Sequence, residues 1–261
     1  MGPGGSCGTI VAAYGPSAGD DPPATRRGAA TSDLLSRSLD AQPAPAHWIL
    51  VLTGVVALLT VASDRTWPTA RHVVTIAHEG GHALAAVATG RRLAGVRLHS
   101  DTSGVTVSSG RPTGPGVILT VAAGYTTPSL LGLGASGLLA TGRISLLLQI
   151  LVALLLVMLV VVRNAFGVVS VLVSTVVVLG ISWFAADDVQ AGFAAYATWF
   201  LLLGAVRPII EVQRQRRQRR ARDSDPDQLA RLTGLPGAFW VGTFGLLSLG
   251  CLATAAAALV V

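Results

Sequence analysis

The run ISLLLQILVALLLVMLVVV, residues 144–162, contains no charged residue. A stretch of about 20 apolar residues is what a helix needs to cross a bilayer. In hydrocarbon every backbone N–H and C=O must be satisfied within the segment itself, so such a run can only be helix. Six further apolar segments accompany it, at 47–63, 70–90, 115–140, 165–186, 189–207 and 236–260. The first is short. The third is rich in glycine with Pro128 inside it, and is expected to be broken. Gly132, Gly134, Ala135 and Gly137 are the small residues that let helices approach closely in lipid. The fold class expected is all-α integral membrane, with about seven transmembrane helices. Composition agrees: 12% of residues are charged, where a soluble domain carries about a quarter.

Residues 1–46 are mainly Gly, Pro, Ala and Ser with scattered charge. They lack the sustained apolar core of a signal peptide and read as a disordered cytoplasmic tail. Residues 47–261 then form one polytopic membrane domain. Every basic residue is Arg, which points to the base composition of the coding sequence rather than to a need for guanidinium. The net charge of +6 is concentrated in RQRRQRRAR, Arg214–Arg222. Beside membrane spans such a cluster marks a cytoplasmic loop facing anionic lipid. No nucleic-acid reading motif accompanies it, so no nucleic-acid partner is expected. With that loop inside, Arg91, Arg92, Arg97, Arg111 and Arg163 also fall inside, as do Arg26, Arg27 and Arg37 of the tail. Arg65, Arg71, Arg143, Asp187 and Asp188 fall outside. The alternation gives a cytoplasmic N-terminus and an outer C-terminus. Cys7 and Cys251 offer neither a disulfide framework nor metal-ligand spacing.

The second segment, VVTIAHEGGHALAAVATGRR, carries His78, Glu79 and His82 in an otherwise apolar setting. A charged residue at mid-membrane costs roughly 3 kcal/mol on insertion scales, so their presence demands a use. Residues four apart lie on one helix face. Two imidazoles at that spacing can bind one zinc ion, with Glu79 beside them to take a proton from a water molecule. With five His and two Glu in the chain, H-E-x-x-H has a chance expectation of about 0.0007. A polar relay along the helix is the competing structural explanation. Just beyond, LAGVRLHSDTSGVTVSSG alternates apolar and polar residues about SDTSG, a β-hairpin signal over 93–109 on the cytoplasmic side.

The string AHEGGHALAAVATGRRLAGVRLHSDTSGVT, followed by AAGYTTPSLLG, resembles the site-2 protease group of intramembrane zinc metallopeptidases. It is closest in pattern to the compact bacterial branch described as peptidase M50B-like. The resemblance covers about residues 47–261, and its sharp element is the zinc-binding helix. It implies one zinc ion per chain, held within a bacterial inner membrane and reached from the cytosol. It also implies transmembrane protein substrates, and a strand near the site that receives the unwound substrate, here the 93–109 hairpin. Members carry a third zinc ligand as an Asp in an Asn-x-x-Pro…Asp-Gly setting. This chain has no such string, and Asn164 stands without the proline. The branch carries Ser-Asp ahead of its last helix, which Ser224 and Asp225 match. Asp225 is therefore the candidate third ligand, with Asp227 able to exchange roles.

Ser224 or Asp225 could equally cap a helix that has Pro226 in its first turn. Asp187 and Asp188 fall on the wrong side. His99 and Asp101 read as turn residues, and His72 points to another face of the helix. Arg163 is expected to snorkel to the interface, and Tyr125 to pack in the core. The function these residues support is a zinc endopeptidase, with metal on His78, His82 and Asp225 and with Glu79 as general base. An inactive membrane scaffold of the same fold, or a metal or proton transporter using the same side chains, are the alternatives.

Overall fold

The computed structural model describes residues 42–218 and 223–260. The tail expected over 1–46 lies outside the described residues except for 42–46. Among the described residues, eight helices and one hairpin follow in chain order: α1 His47–Ala62, α2 Trp67–Ala88, β1 Arg92–Leu98, β2 Gly104–Ser109, α3 Pro115–Ala140, α4 Ile144–Val161, α5 Ala165–Phe184, α6 Asp187–Arg217, α7 Asp225–Thr233 and α8 Gly237–Val260. Proline at the start of α2, α3 and α7 sits where its missing N–H leaves no bond unmade. Gly90, Gly142 and Gly234 follow helix ends with positive φ, the left-handed conformation that closes a helix.

Five of these helices, α3, α4, α5, α6 and α8, are long and apolar enough to cross a membrane. α1 and α2 pass the same test only as a pair, and they meet at a bend of 102°. The break therefore falls between the first two segments and not in the third: α3 is continuous through Pro128. Seven separate crossings become at most six. The path of the chain shows why. Gln42 donates its N–H to Gly142 O at 2.8 Å and its side-chain amide to Ser145 Oγ at 3.0 Å, at the C-terminal end of α3. The hairpin leaves α2 and leads into the N-terminal end of α3. At 1.5 Å per residue, the 26 residues of α3 separate those ends by about 39 Å. Residue 42 and the hairpin thus lie at opposite ends of α3, which fits one span broken at 63–66 and not two.

α6 differs from its expected bounds in the other direction. The apolar pattern stops at 207, yet the helix runs 31 residues to Arg217. That is about 46 Å against a hydrocarbon thickness of about 30 Å, so its last ten or so residues overhang the apolar layer. Arg, Gln and Glu are good helix formers, and the charged run expected as a loop from Arg214 continues the helix to Arg217. α3 packs antiparallel to α6, with Gly132 against Leu202, and parallel to α8, where Ser129 and Ser248 hydroxyls bond at 2.7 Å. A cluster of Val121, Ile209, Leu229 and Phe244 ties α3, α6, α7 and α8 together at the end nearest the hairpin.

The hairpin pairs antiparallel, Leu98 with Gly104 and Arg92 with Ser109, with an irregularity between Leu93 and Gly95. Gly95 takes φ +146°, and a side chain there would meet Arg163. The free edge of β1 is closed by the α4–α5 connection. Arg163 N–H donates to Val96 O at 2.8 Å. Asn164 spans Leu98, accepting from its N–H at 3.1 Å and donating to its carbonyl at 2.6 Å. The opposite edge of β2 pairs with no strand among the described residues.

The single broken crossing is open to direct measurement. In a Cys7→Ser/Cys251→Ser background, Ala44→Cys and Thr141→Cys are expected to react with a membrane-impermeant maleimide from one face, and Thr113→Cys from the other. Labelling of positions 44 and 113 from the same face would restore two crossings.

Candidate metal centre

Arg71, Thr75, His78 and His82 fall at i, i+4, i+7 and i+11 along α2, one stripe of a helix. The upper part of this stripe meets α3 at its small residues. An alanine Cβ at Gly124 would fall on His82 Nε2 and His78 Cε1, and one at Gly81 would fall on Thr127 Oγ1. Glycine at both positions lets the helices close until the imidazoles lie against the α3 backbone. His82 donates its Nδ1–H to Thr120 O at 2.7 Å, which leaves Nε2 as the lone-pair nitrogen facing inward. The His78 ring stands edge-on to His82, 4.6 Å between centroids, and edge-on to Tyr125 at 4.8 Å. Tyr125 in turn stacks on Phe244 of α8 at 5.3 Å.

Asp225 enters from the first turn of α7. Its Oδ2 lies 3.2 Å from His78 Nε2 and 3.2 Å from His82 Nε2, and the two nitrogens are 3.1 Å apart. Three ligand-type atoms therefore form a nearly equilateral triangle. For one face of a tetrahedron of that edge, the centre lies about 2.0 Å from each corner, the length of a Zn–N or Zn–O bond. Oδ2 is buried and makes no hydrogen bond of acceptable geometry among the described residues. Facing lone pairs repel unless a cation lies between them, so the donor set suits a metal better than a proton.

Glu79, only 4% exposed, has its carboxylate within 4.8 Å of both histidine nitrogens. Thr106 of β2 donates its hydroxyl to Glu79 Oε2 at 2.6 Å. A Cβ on Gly104 would come within 2.5 Å of Glu79 Cγ, so a side chain there would displace the carboxylate. The hairpin thus holds Glu79 in place. Thr106 was not singled out by the sequence. Its alternation within β2 put it on one hairpin face, but only the fold shows that this face meets Glu79.

The other candidates separate cleanly. Asp227 turns away from the histidines and pairs with Arg216 at 2.7 Å, so it does not exchange with Asp225. Ser224 occupies the N-cap position of α7 but makes no side-chain capping bond, so neither Ser224 nor Asp225 caps the helix in the way the sequence suggested. The Ser224 hydroxyl donates to Asp227 Oδ2 at 2.7 Å. His99 and Asp101 lie in the hairpin turn with Ser103. His72 stands against Phe166. Asp187 and Asp188 open α6 at the far end of the bundle. Asn164 clamps β1 and is not brought to the cluster.

The family model described as Peptidase M50B-like matches residues 51–255, which takes in His78, Glu79, His82 and Asp225. Comparison with curated proteins and with solved structures gives no match.

Gly124 gives a sharp check on the packing of the site. Alanine is favoured over glycine inside a helix by about 1 kcal/mol, so Gly124→Ala should leave α3 intact. It is nevertheless expected to displace His82 and His78 and to reduce metal content well below one per chain. Metal analysis beside a thermal melt checks this, and full metal content would show that the imidazoles do not face α3.

Proposed function

The chain belongs to the Peptidase M50B-like family, and from that premise and the convergence of three side chains we propose that it is an intramembrane zinc endopeptidase. His78 and His82 of α2 and Asp225 of α7 would hold one zinc ion. The observation that carries the reading is the 3.1–3.2 Å triangle of their ligand-type atoms. A zinc ion so held supplies Lewis-acid chemistry, lowering the pKa of water toward neutrality and polarising a carbonyl.

The chain's own groups do the remaining work. His82 is fixed in one tautomer by the Thr120 carbonyl. Glu79 takes a proton from the attacking water and returns it to the departing amine, so one carboxylate serves both halves of the hydrolysis. Thr106 holds that carboxylate through Oε2. The surrounding helices exclude bulk water, which strengthens each of these interactions.

The substrates on this reading are transmembrane segments. A helix must unwind before its peptide bonds can be reached, and an unwound strand needs backbone partners in the membrane. The unpaired edge of β2 supplies them, with Val105 and Val107 exposed on one face and Glu79 at the other. The end carrying the hairpin, the tip of α6 and α7 is also the arginine-bearing end. Placing it in the cytoplasm of a bacterial inner membrane follows the distribution of Arg91, Arg92, Arg97, Arg111, Arg214, Arg216 and Arg217. Residue 42, at the opposite end of α3, then emerges on the outer face. On this placement residue 42 lies opposite the cytoplasmic side that seven crossings would have required. Arg214 and Arg217, exposed at the end of α6, are suited to anionic lipid.

In detergent-purified protein supplied with zinc, Glu79→Gln is expected to keep one zinc ion per chain and lose cleavage by 10²–10⁴-fold, the usual contribution of a general base. Asp225→Ala is expected to lose both. Thr106→Val should retain zinc and lower kcat about tenfold, with Thr106→Ser close to the parent. Cleavage by Glu79→Gln at the parental rate would remove Glu79 as the base, and a parent that holds zinc but cleaves nothing would return the chain to a scaffold or transporter.

A further inference from the structure

The third corner of the cluster is held in an unusual way. Asp225 sits on α7, a helix of nine residues, well short of the 12–15 that a helix needs to persist alone. Its placement must therefore come from its surroundings. Residues two apart on a helix point about 200° apart, so Asp227 faces away from the side that Asp225 presents to His78 and His82. On that far side Asp227 Oδ1 receives two contacts from one guanidinium, Arg216 Nε at 2.9 Å and Nη2 at 2.7 Å. Its other oxygen accepts the Ser224 hydroxyl at 2.7 Å. Arg216 is itself confined: a Cβ on Gly237 would fall on its guanidinium, and its side chain is only 18% exposed. Within an arginine run that faces outward at Arg214 and Arg217, this guanidinium is turned in.

Five residues earlier on the same helix, Glu211 holds α2. It accepts Trp67 Nε1 at 2.9 Å and pairs with Arg71 at 2.9 Å, two helical turns before His78. The overhanging end of α6 thus grips the histidine helix through a carboxylate and the aspartate helix through a guanidinium. Both contacts are made from one helix, five residues apart, so the histidine helix and the aspartate helix are tied to a common support.

We propose that Arg216, through its ion pair with Asp227, is the positioning residue that presents Asp225 to the metal held by His78 and His82. The proposal rests on the reading of Asp225 as the third ligand. It assigns to Arg216 a role inside the protein, distinct from the lipid contact that its neighbours suit.

The test is zinc affinity by chelator competition, with the absorption spectrum of the cobalt-substituted protein, in full-length detergent-purified chain. Arg216→Gln and Asp227→Asn are each expected to weaken zinc binding by 10-fold or more, as loss of a group that orients a ligand does. Both should shift the cobalt spectrum in the direction given by Asp225→Ala. The double variant should be no worse than either single, because both remove the same pair. Arg216→Lys, which keeps a cation, should stay within a few-fold of the parent and serves as the folding control. Parental affinity and spectrum in Arg216→Gln and Asp227→Asn, with metal lost in Asp225→Ala, would overturn the proposal and leave the ligand reading standing. Parental affinity in Asp225→Ala would overturn the ligand reading and the proposal with it.

Discussion

His78 Nε2, His82 Nε2 and Asp225 Oδ2 meet within 3.2 Å inside a bundle of largely apolar helices. Three electron-rich atoms at that separation in a low dielectric are tolerable only around a positive charge, and much of the fold can be understood as the means of bringing them there. Two come from one helix and need only the i, i+4 spacing. The third comes from a separate short helix almost 150 residues later, and no local rule can place it. The glycines of α3, the overhang of α6 and the burial of Leu229 among Val121, Ile209 and Phe244 all act on that longer-range problem.

The bend between α1 and α2 belongs to the same arrangement. At the break, Arg207 of α6 reaches Val61 O and Asp64, lies over the Trp67 ring at 5.1 Å, and pairs with Glu211, which also binds Arg71. Each of these charges would be costly alone. Together they satisfy the backbone carbonyl exposed by the break and give α2 a fixed start. A straight 40-residue helix could not present His78 to α3 and also begin beside residue 142. The bend lets α1 follow α6 while α2 crosses to α3.

What the sequence made legible was whatever short-range chemistry determines. His78, Glu79 and His82 stand out because polar residues in an apolar run are costly and their spacing is that of a ligand pair. The hairpin is visible in its period-two alternation, and α7 in Ser224 and Pro226. What stayed hidden is tertiary. Hydropathy cannot tell two spans from one broken span, because α1 and α2 are each apolar whatever angle they make. It led to a break at Pro128, where α3 runs straight through, and to a loop at Arg214–Arg217, where α6 continues. Asp225 was reached through the family pattern of Ser-Asp before the last helix. The residues alone left it level with a cap, and the fold turns Asp225 to the histidines while Ser224 stands at the N-cap position with its hydroxyl on Asp227 instead of on the helix backbone. Thr106 had no signal of its own, since a threonine on a hairpin is ordinary until its hydroxyl is seen 2.6 Å from Glu79.

The two edges of the hairpin carry the last step. β1 is sealed by Arg163 N–H and by the Asn164 side chain, which occupies both backbone groups of Leu98. An extended peptide in the membrane can therefore add only to β2, and β2 is the strand whose Thr106 hydroxyl holds the carboxylate of Glu79. On the peptidase reading, the surface that receives the substrate backbone and the group that orients the base are the same strand. Any shift of β2 on binding is passed to Glu79 through one hydrogen bond, with no intervening element. On that same reading Asn164, which lies away from the cluster, would bear on the reaction too: by closing one edge of the hairpin it leaves an unwound segment only the β2 side, and hence one distance from Glu79.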